Sequence, residues 1–382
     1  MQYTYTNKYV KSAAWTMDAV GRLFFRKRKF NPKRDDLKRI LVIKLDQIGD
    51  CFLSVPLFEY LRELFPQADI DVVCQESSAP IFENNPFIND ILIFNYPRMY
   101  RGKVPAKRRD FSSLIRTVRR KKYDLSIDLR GEPFAALLGF LSGASDRIGF
   151  EKEEVGGFFY TQPLSYDRNA HETERYKKII SLLNRSVAVW RPRIYLTDKE
   201  IINGEKLVAL LSGREYVAVS PGAGVPYKMW PEEKFTEIIR ATLKDYGFDV
   251  VLLGGKGERR ISDDITENVK DGRLKSEIGE LSLRESYFMI SRAKAFLGND
   301  SVLAHFAGAL DIPTVDLMNS VIDENRWHPL GGNVTVILGR KSDHRCRYEH
   351  CPYPCPNMQA IGIGEVYGKW DSILRRIKPA AL

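Results

Sequence analysis

Several features are scarce or missing in this 382-residue chain, and each gap removes a class of function. Five cysteines are too few for a disulfide scaffold at this length. No apolar run approaches the roughly 20 residues that cross a bilayer. Residues 1–30 lack the compact apolar stretch and small-residue cleavage site of a secretory signal, so a cytoplasmic location is expected. The first strand-like run is not followed by Gly-x-Gly-x-x-Gly, which argues against a nicotinamide dehydrogenase. No nucleic-acid-binding motif stands out, and the basic blocks have no interleaved stacking aromatics, so no nucleic-acid partner is expected. No internal repeat is visible. What is present is a globular composition, 44% hydrophobic and 28% charged, with enough chain for two domains and their cores.

Charge is the next signal. The net charge is +10 and unevenly placed: residues 22–39 hold nine Lys or Arg against two Asp, and residues 101–122 hold ten against one. Such blocks favour an anionic partner, although a solvated face is the plain alternative for either. In residues 9–25, Val10, Ala13, Ala14, Met17, Val20 and Phe24 recur at helical spacing, with Trp15, Phe25 and Arg26-Lys27-Arg28-Lys29 beside them. An apolar stripe next to basic residues suits an anionic membrane surface, which is the partner expected for residues 9–29. The competing reading is a helix packed on its own domain.

Beyond this basic N-terminal segment (1–36), two α/β domains are expected, 37–197 and 198–382. In the first, strand-like runs at 40–45, 69–74, 90–94 and 124–129 alternate with helical patterns at 52–65, 78–84 and 111–121, which predicts a parallel sheet. A basic loop is expected at 96–110, a helix at 171–184 and a connection at 191–199. The second domain should hold strands 216–220, 249–253, 295–298 and 313–317 and helices 232–246, 283–293, 302–310 and 365–377.

Two strand-to-helix turns carry the chemistry: Leu45-Asp46-Gln47-Ile48-Gly49-Asp50 and Gly298-Asn299-Asp300-Ser301. An open α/β sheet places its ligand at such turns. They lie about 250 positions apart, so each belongs to its own nucleotide-type domain. Asp50 has the chemistry of a general base for an acceptor hydroxyl, or it merely caps a helix at 51–65. Lys228, in Lys228-Met229-Trp230-Pro231, follows the Ser220-Pro221-Gly222-Ala223-Gly224 turn and suits a pyrophosphate, helped by backbone N–H groups there; the plain alternative is an exposed lysine. Asp300 and Ser301, with His305 behind them, mark either an anion site or an ordinary cap. Glu258, in the turn Gly254-Gly255-Lys256-Gly257-Glu258, suits a ribose hydroxyl. Cys346, Cys351 and Cys355 lack the paired Cys-x2-Cys spacing of a typical zinc site, even with His344 and His350 as possible partners, so no metal is expected.

Taken in order, these stretches resemble glycosyltransferase family 9, the heptosyltransferases of lipopolysaccharide core synthesis. The resemblance spans about residues 39–362. It is carried by Ile40 to Asp50, Asn85-Pro86, Tyr123 to Gly131, Arg147-Ile148-Gly149-Phe150, His171 with Glu174-Arg175-Tyr176, Ser220 to Ala223 with Lys228 to Pro231, and Gly298 to Ser301 with His305. It implies a GT-B fold, two Rossmann-like domains with parallel sheets facing a central cleft. It also implies an inverting mechanism without a required metal or cofactor, a nucleotide-sugar donor, typically ADP-heptose, and a lipid-linked saccharide acceptor. Asp50 would be the base, with Asp46, Gly49, Arg130 and His171 on the acceptor side. Lys228 would meet the donor phosphates, Glu258 or a neighbour the ribose, and Asp300-Ser301 the sugar-phosphate region, with Ser220, Gly222 and His305 beside them. The chain departs from the family where Val302 replaces the usual Gly and where Asp46 replaces Ser or Thr. Two alternatives stand beside transfer: a non-catalytic nucleotide-sugar-binding relative, or a transferase using another nucleotide donor for a cell-surface polysaccharide.

Overall fold

The computed structural model describes residues 16–21, 23, 36–96, 108–151, 156–210, 214–340, 346 and 351–377. The chain divides into two compact units, Met1–Tyr195 and Leu196–Leu382. Most of the expected basic loop, and His344 and His350, lie outside the described residues.

Unit 1 is built on six strands, β1 (Arg39–Lys44), β2 (Asp69–Cys74), β3 (Asp90–Ile93), β4 (Leu125–Asp128), β5 (Asp146–Glu151) and β6 (Gln162–Ser165). They form one parallel sheet in the order β3-β2-β1-β4-β5-β6. Its helices are α1 (Ile48–Ser54), α2 (Pro56–Leu64), α3 (Arg108–Lys121), α4 (Pro133–Leu141) and α5 (Glu172–Leu182). Ile40, Leu41, Val42 and Ile43 are wholly buried, so successive side chains on both faces of β1 are covered. This is why a central parallel strand reads as a continuous apolar run rather than an alternation.

The single helix expected at 52–65 is two helices. Pro56 has no N–H to give the Phe52 carbonyl, which takes Val55 N instead at 3.1 Å, and the chain restarts with proline at the first position of α2. The helix expected at 78–84 shrinks to a 3-10 turn at Glu76–Ser78 and one helical turn at Ala79–Phe82. Strands β5 and β6 and helix α4 carry no strong sequence signal. The α4 segment Pro-Phe-Ala-Ala-Leu-Leu-Gly-Phe-Leu is apolar nearly throughout, so it shows little amphipathic period.

Unit 2 repeats the plan with α6 (Asp198–Ala209), β7 (Tyr216–Ser220), α7 (Glu232–Tyr246), β8 (Asp249–Leu252), α8 (Arg259–Val269), β9 (Leu274–Ser276), α9 (Leu283–Arg292), β10 (Phe296–Asn299), α10 (Val302–Ala309), β11 (Thr314–Met318), β12 (Val334–Leu338) and α11 (Ile363–Ile377). Its parallel sheet runs β12-β11-β10-β7-β8-β9. In each unit, the strand order reverses beside the first strand: at β1 and β4, and at β7 and β10. Chains leaving two such neighbours turn away from each other and open a crevice at their carboxyl ends. Both chemistry-bearing turns of the sequence start at these points.

The unit 2 core gathers Val217, Trp230, Phe235, Phe248, Leu297, Val315 and Trp370. Gly247 ends α7 in the left-handed region at φ 63°, the usual role of glycine at a helix C-terminus. Trp370 is completely buried, and its indole N–H donates to Thr242 Oγ1 at 2.9 Å, which fixes α11 on α7. Trp370→Ala should cost about 3–5 kcal/mol, read as a lowered midpoint in urea unfolding. An unchanged midpoint would contradict this packing.

Candidate active site

At the end of β1, the chain buries a lysine. Lys44 Nζ is wholly covered and donates to Asp46 Oδ2 at 2.6 Å and to the Tyr176 hydroxyl at 2.7 Å. Tyr176 in turn donates to Glu172 Oε1 at 3.3 Å. Burial alone would lower the Lys44 pKa, but Tyr176, Asp50 and Glu172 outweigh it and raise the pKa, so the ammonium stays charged. Asp46 is also ion-paired with Arg130, whose Nε lies 2.6 Å from Glu132 Oε1. Gln75 Nε2 and Ser78 Oγ donate to the Asp46 carbonyl at 3.0 and 3.1 Å, which pins the turn itself.

Arg130 is aimed by its own loop. Asp128 Oδ1 accepts Arg130 N at 2.8 Å and Gly131 N at 3.0 Å, while Oδ2 accepts the Tyr160 hydroxyl at 2.5 Å. Gly131 sits at φ +74°, and a Cβ there would come 2.4 Å from Phe150 O, so only glycine fits.

Asp50 is not the helix cap. Gln47 holds that position, and Asp50 lies in the first turn of α1, beside Gly49 and partly exposed, where the helix dipole favours its negative charge. His171 is the N-cap of α5, with Nδ1 accepting Thr173 N at 3.3 Å. Its structural duty is therefore visible in unit 1.

Unit 2 presents a second charged turn. Lys228 Nζ pairs with Asp300 Oδ2 at 2.6 Å, so this lysine is not an unattached surface group. Asn299 joins three loops: its Oδ1 accepts Trp230 N at 3.0 Å and its Nδ2 donates to Pro221 O at 2.7 Å. Ser301 occupies the N-cap position of α10 but makes no capping bond, and its hydroxyl is buried without a hydrogen-bond partner. His305 is buried one turn further on, and Val302 opens the helix.

Ser220 ends β7, buried, and Gly222 follows in the turn. The structure brings Gly222 and Glu258 together: a Cβ on Gly222 would lie 2.2 Å from Glu258 Cδ. Glu258 Oε2 accepts Gly255 N at 2.9 Å, and burial raises its pKa despite that bond.

The sequence did not single out Lys44, Asp128, Glu132, Glu172 or Asp316 as site residues. Asp316 lies on β11 opposite Gly298, fully buried, with neither carboxylate oxygen hydrogen-bonded. Burial first, and the Asp300 charge second, push its pKa well above the usual carboxylate range, against the pull of Lys228.

The family model of glycosyltransferase family 9 (heptosyltransferase) matches residues 111–356, more than half of the chain. The chain belongs to this family. Lipopolysaccharide heptosyltransferase 3 of Escherichia coli is 25% identical over 297 residues, covering 75% of this chain and 84% of that protein. Among solved structures, E. coli ADP-heptose lps heptosyltransferase II aligns with a TM-score of 0.70 and 24% identity over 88% of this chain and 99% of that one. E. coli heptosyltransferase WaaC with ADP aligns with a TM-score of 0.65 and 19% identity, over 88% and 99% of the two chains. The family 9 chain is therefore a glycosyltransferase, and its fold class is GT-B, as the sequence resemblance implied.

Asp316 gives a test of the electrostatics in unit 2. Folded, burial and Asp300 favour its protonated form; unfolded, it titrates near about 4. Above that pH and up to its raised folded pKa, the unfolded chain binds fewer protons at this site, so stability falls as pH rises. Asp316→Asn removes that slope. Its melting temperature should exceed wild type by more at pH 8 than at pH 5. Parallel pH profiles for the two proteins would contradict a protonated Asp316.

Proposed function

We propose that this enzyme transfers a heptose from an ADP-linked donor to a lipopolysaccharide-core or similar lipid-linked saccharide, with inversion at the anomeric carbon. Asp50 takes the proton of the acceptor hydroxyl. The acceptor oxygen attacks the anomeric carbon, the bond from that carbon to the phosphate oxygen breaks, and the nucleotide diphosphate leaves. The observation that carries the reading is the turn chemistry of each unit: a first-turn carboxylate after β1, and Lys228 after β7 paired with Asp300 after β10, beside an unsatisfied serine hydroxyl.

Each residue has a defined part. Lys228 neutralises charge on the departing diphosphate. The Ser301 hydroxyl and the N–H groups opening α10 receive phosphate oxygens. Glu258, folded against Gly222, takes a ribose hydroxyl. Asp46 and Arg130, locked by Lys44, line the acceptor side. The donor assignment draws on the names of the relatives, one solved with ADP and one called an ADP-heptose enzyme. The acceptor class draws on the lipopolysaccharide heptosyltransferase 3 relative.

We also place the enzyme on the inner face of the cytoplasmic membrane. No described helix is long and apolar enough to cross a bilayer. Residues 16–21 are helical, and on one side Asp18 accepts Gly156 N at 3.1 Å while Gly21 lies against Phe158. The segment is thus docked on its own unit, as the packed-helix reading expects. Yet Met17, Val20 and Leu23 stay exposed at three-residue spacing, a stripe suited to an interface rich in anionic lipid. The remaining residues of the 9–29 stripe lie outside the described set.

Three outcomes are expected. Asp50→Ala should lower kcat by roughly 10²–10⁴-fold and leave nucleotide affinity unchanged by calorimetry; turnover above about a third of wild type would remove the base assignment. Lys228→Ala should raise the donor KM or lower kcat by an amount worth about 1.5–3 kcal/mol, and equal kinetics would contradict it. The triple change Met17→Glu, Val20→Glu, Leu23→Glu should reduce co-sedimentation with anionic vesicles while sparing transfer to a soluble acceptor fragment; unchanged sedimentation would refute the membrane contact.

A further inference from the structure

A cluster of three cysteines lies in unit 2, and none of the three has a part in the proposed transfer. The sulfur atoms of Cys346, Cys351 and Cys355 all lie within 4.8 Å of one another, although the spacing lacks a Cys-x2-Cys pair. Cys351 and Cys355 are buried and Cys346 is half-buried, and none of the three is in a disulfide. Tetrahedral thiolate coordination at about 2.3 Å from the metal puts sulfurs roughly 3.8 Å apart, within reach of this arrangement.

Cys355 Sγ accepts from Asn319 Nδ2 at 3.3 Å and from the backbone N–H groups of Asn357 and Met358. Several N–H donors converging on one sulfur suit a thiolate, and such outer bonds orient and tune metal-ligating groups. A lone apolar packing role for three cysteines would not call for them.

The segment also has a reason to be clamped. Cys351-Pro-Tyr-Pro-Cys355-Pro has three prolines and only a single helical turn, Pro356–Gln359, after it. It is nevertheless sewn to the loop that carries Lys228. Asn319 Nδ2 donates to Tyr227 O at 2.6 Å, Lys234 Nζ to Gln359 O at 2.6 Å and Ile361 O at 2.8 Å, and the Trp230 indole to Ile361 O at 3.1 Å.

We propose that Cys346, Cys351 and Cys355 bind a divalent transition-metal ion of the thiolate-seeking kind, zinc or iron(II), as a structural clamp on the C-terminal part of unit 2. Soft thiolate ligands select such ions over Mg²⁺ or Ca²⁺. Binding displaces thiol protons to solvent and involves no electron transfer. The ion has no part in sugar transfer, so the proposal stands whether or not Asp50 is the base.

The test uses the full chain, purified under reducing conditions without chelator. Elemental analysis should give about one zinc or iron per chain. Metal-stripped, reduced wild type titrated with Co²⁺ should develop sulfur-to-metal charge-transfer absorption that saturates at one equivalent, and its melting temperature should rise with the metal. Cys351→Ser and Cys355→Ser should lose both metal and absorption, while a Cys51→Ser control keeps them. Three results would overturn the proposal: wild type without metal that gives no Co²⁺ charge-transfer band, a native disulfide between two of these cysteines, or metal retained in the Cys351→Ser, Cys355→Ser double variant. The wild-type titration decides the matter even if the variants fail to fold.

Discussion

A buried ammonium dictates the arrangement at the end of β1. Lys44 has lost all contact with solvent, and an unpaired charge in that position would cost several kcal/mol. The chain answers it with Asp46 from the following turn and with Tyr176 and Glu172 from α5. Those answers have consequences. Asp46 is held on one carboxylate oxygen by Lys44 and on the other by Arg130, so the first strand-to-helix turn, the β4 loop and α5 share one charge network. The turn that leads to Asp50 is thereby held in place, as the proposed role of Asp50 as base requires.

Unit 2 solves a related problem with the signs exchanged. Asp300 and Asp316 are two buried carboxyls near one lysine, Lys228. One lysine pairs with one carboxylate, and the other carboxyl keeps its proton because burial and its neighbour both disfavour a second negative charge. Lys228 is a quarter exposed while Asp300 is buried, so the ammonium remains open to a further anion. In the proposed mechanism a diphosphate would meet there a lysine already positioned by Asp300, with the Ser301 hydroxyl nearby in sequence at the start of α10.

The sequence made the architecture readable where strands were central. Ile40 to Ile43 and Ala295 to Gly298 are buried on both faces and read as apolar runs, and the turns after them carry Gly and Asp. Edge strands were less legible: β6 (Gln-Pro-Leu-Ser) has one buried residue in four, so little patterning is imposed on it. The site divides in the same way. Asp50, Lys228 and Asp300 sit in or just past strand-to-helix connections, where local spacing shows them. Lys44 ends a run of four apolar residues, and Asp316 is flanked by Val315 and Leu317; each is an ionisable group inside a strand. Such residues make sense only through partners distant in sequence, here Tyr176 and Asp300. The Tyr176–Glu172 pair, four apart on one helix face, was the local sign that something polar had to be answered. The three cysteines stood out in the sequence, but their spacing argued against a metal, and only the chain path shows their sulfurs drawn together.

In the proposed reaction a single carboxylate base drives a direct displacement at the sugar. The most direct measurement is the anomeric configuration of the product, by NMR, after wild-type enzyme has consumed ADP-heptose with a lipid-linked core acceptor. One base and one displacement predict a product configuration opposite to that of the donor. A product that retains the donor's configuration would require two displacements or a different chemistry, and would contradict the account.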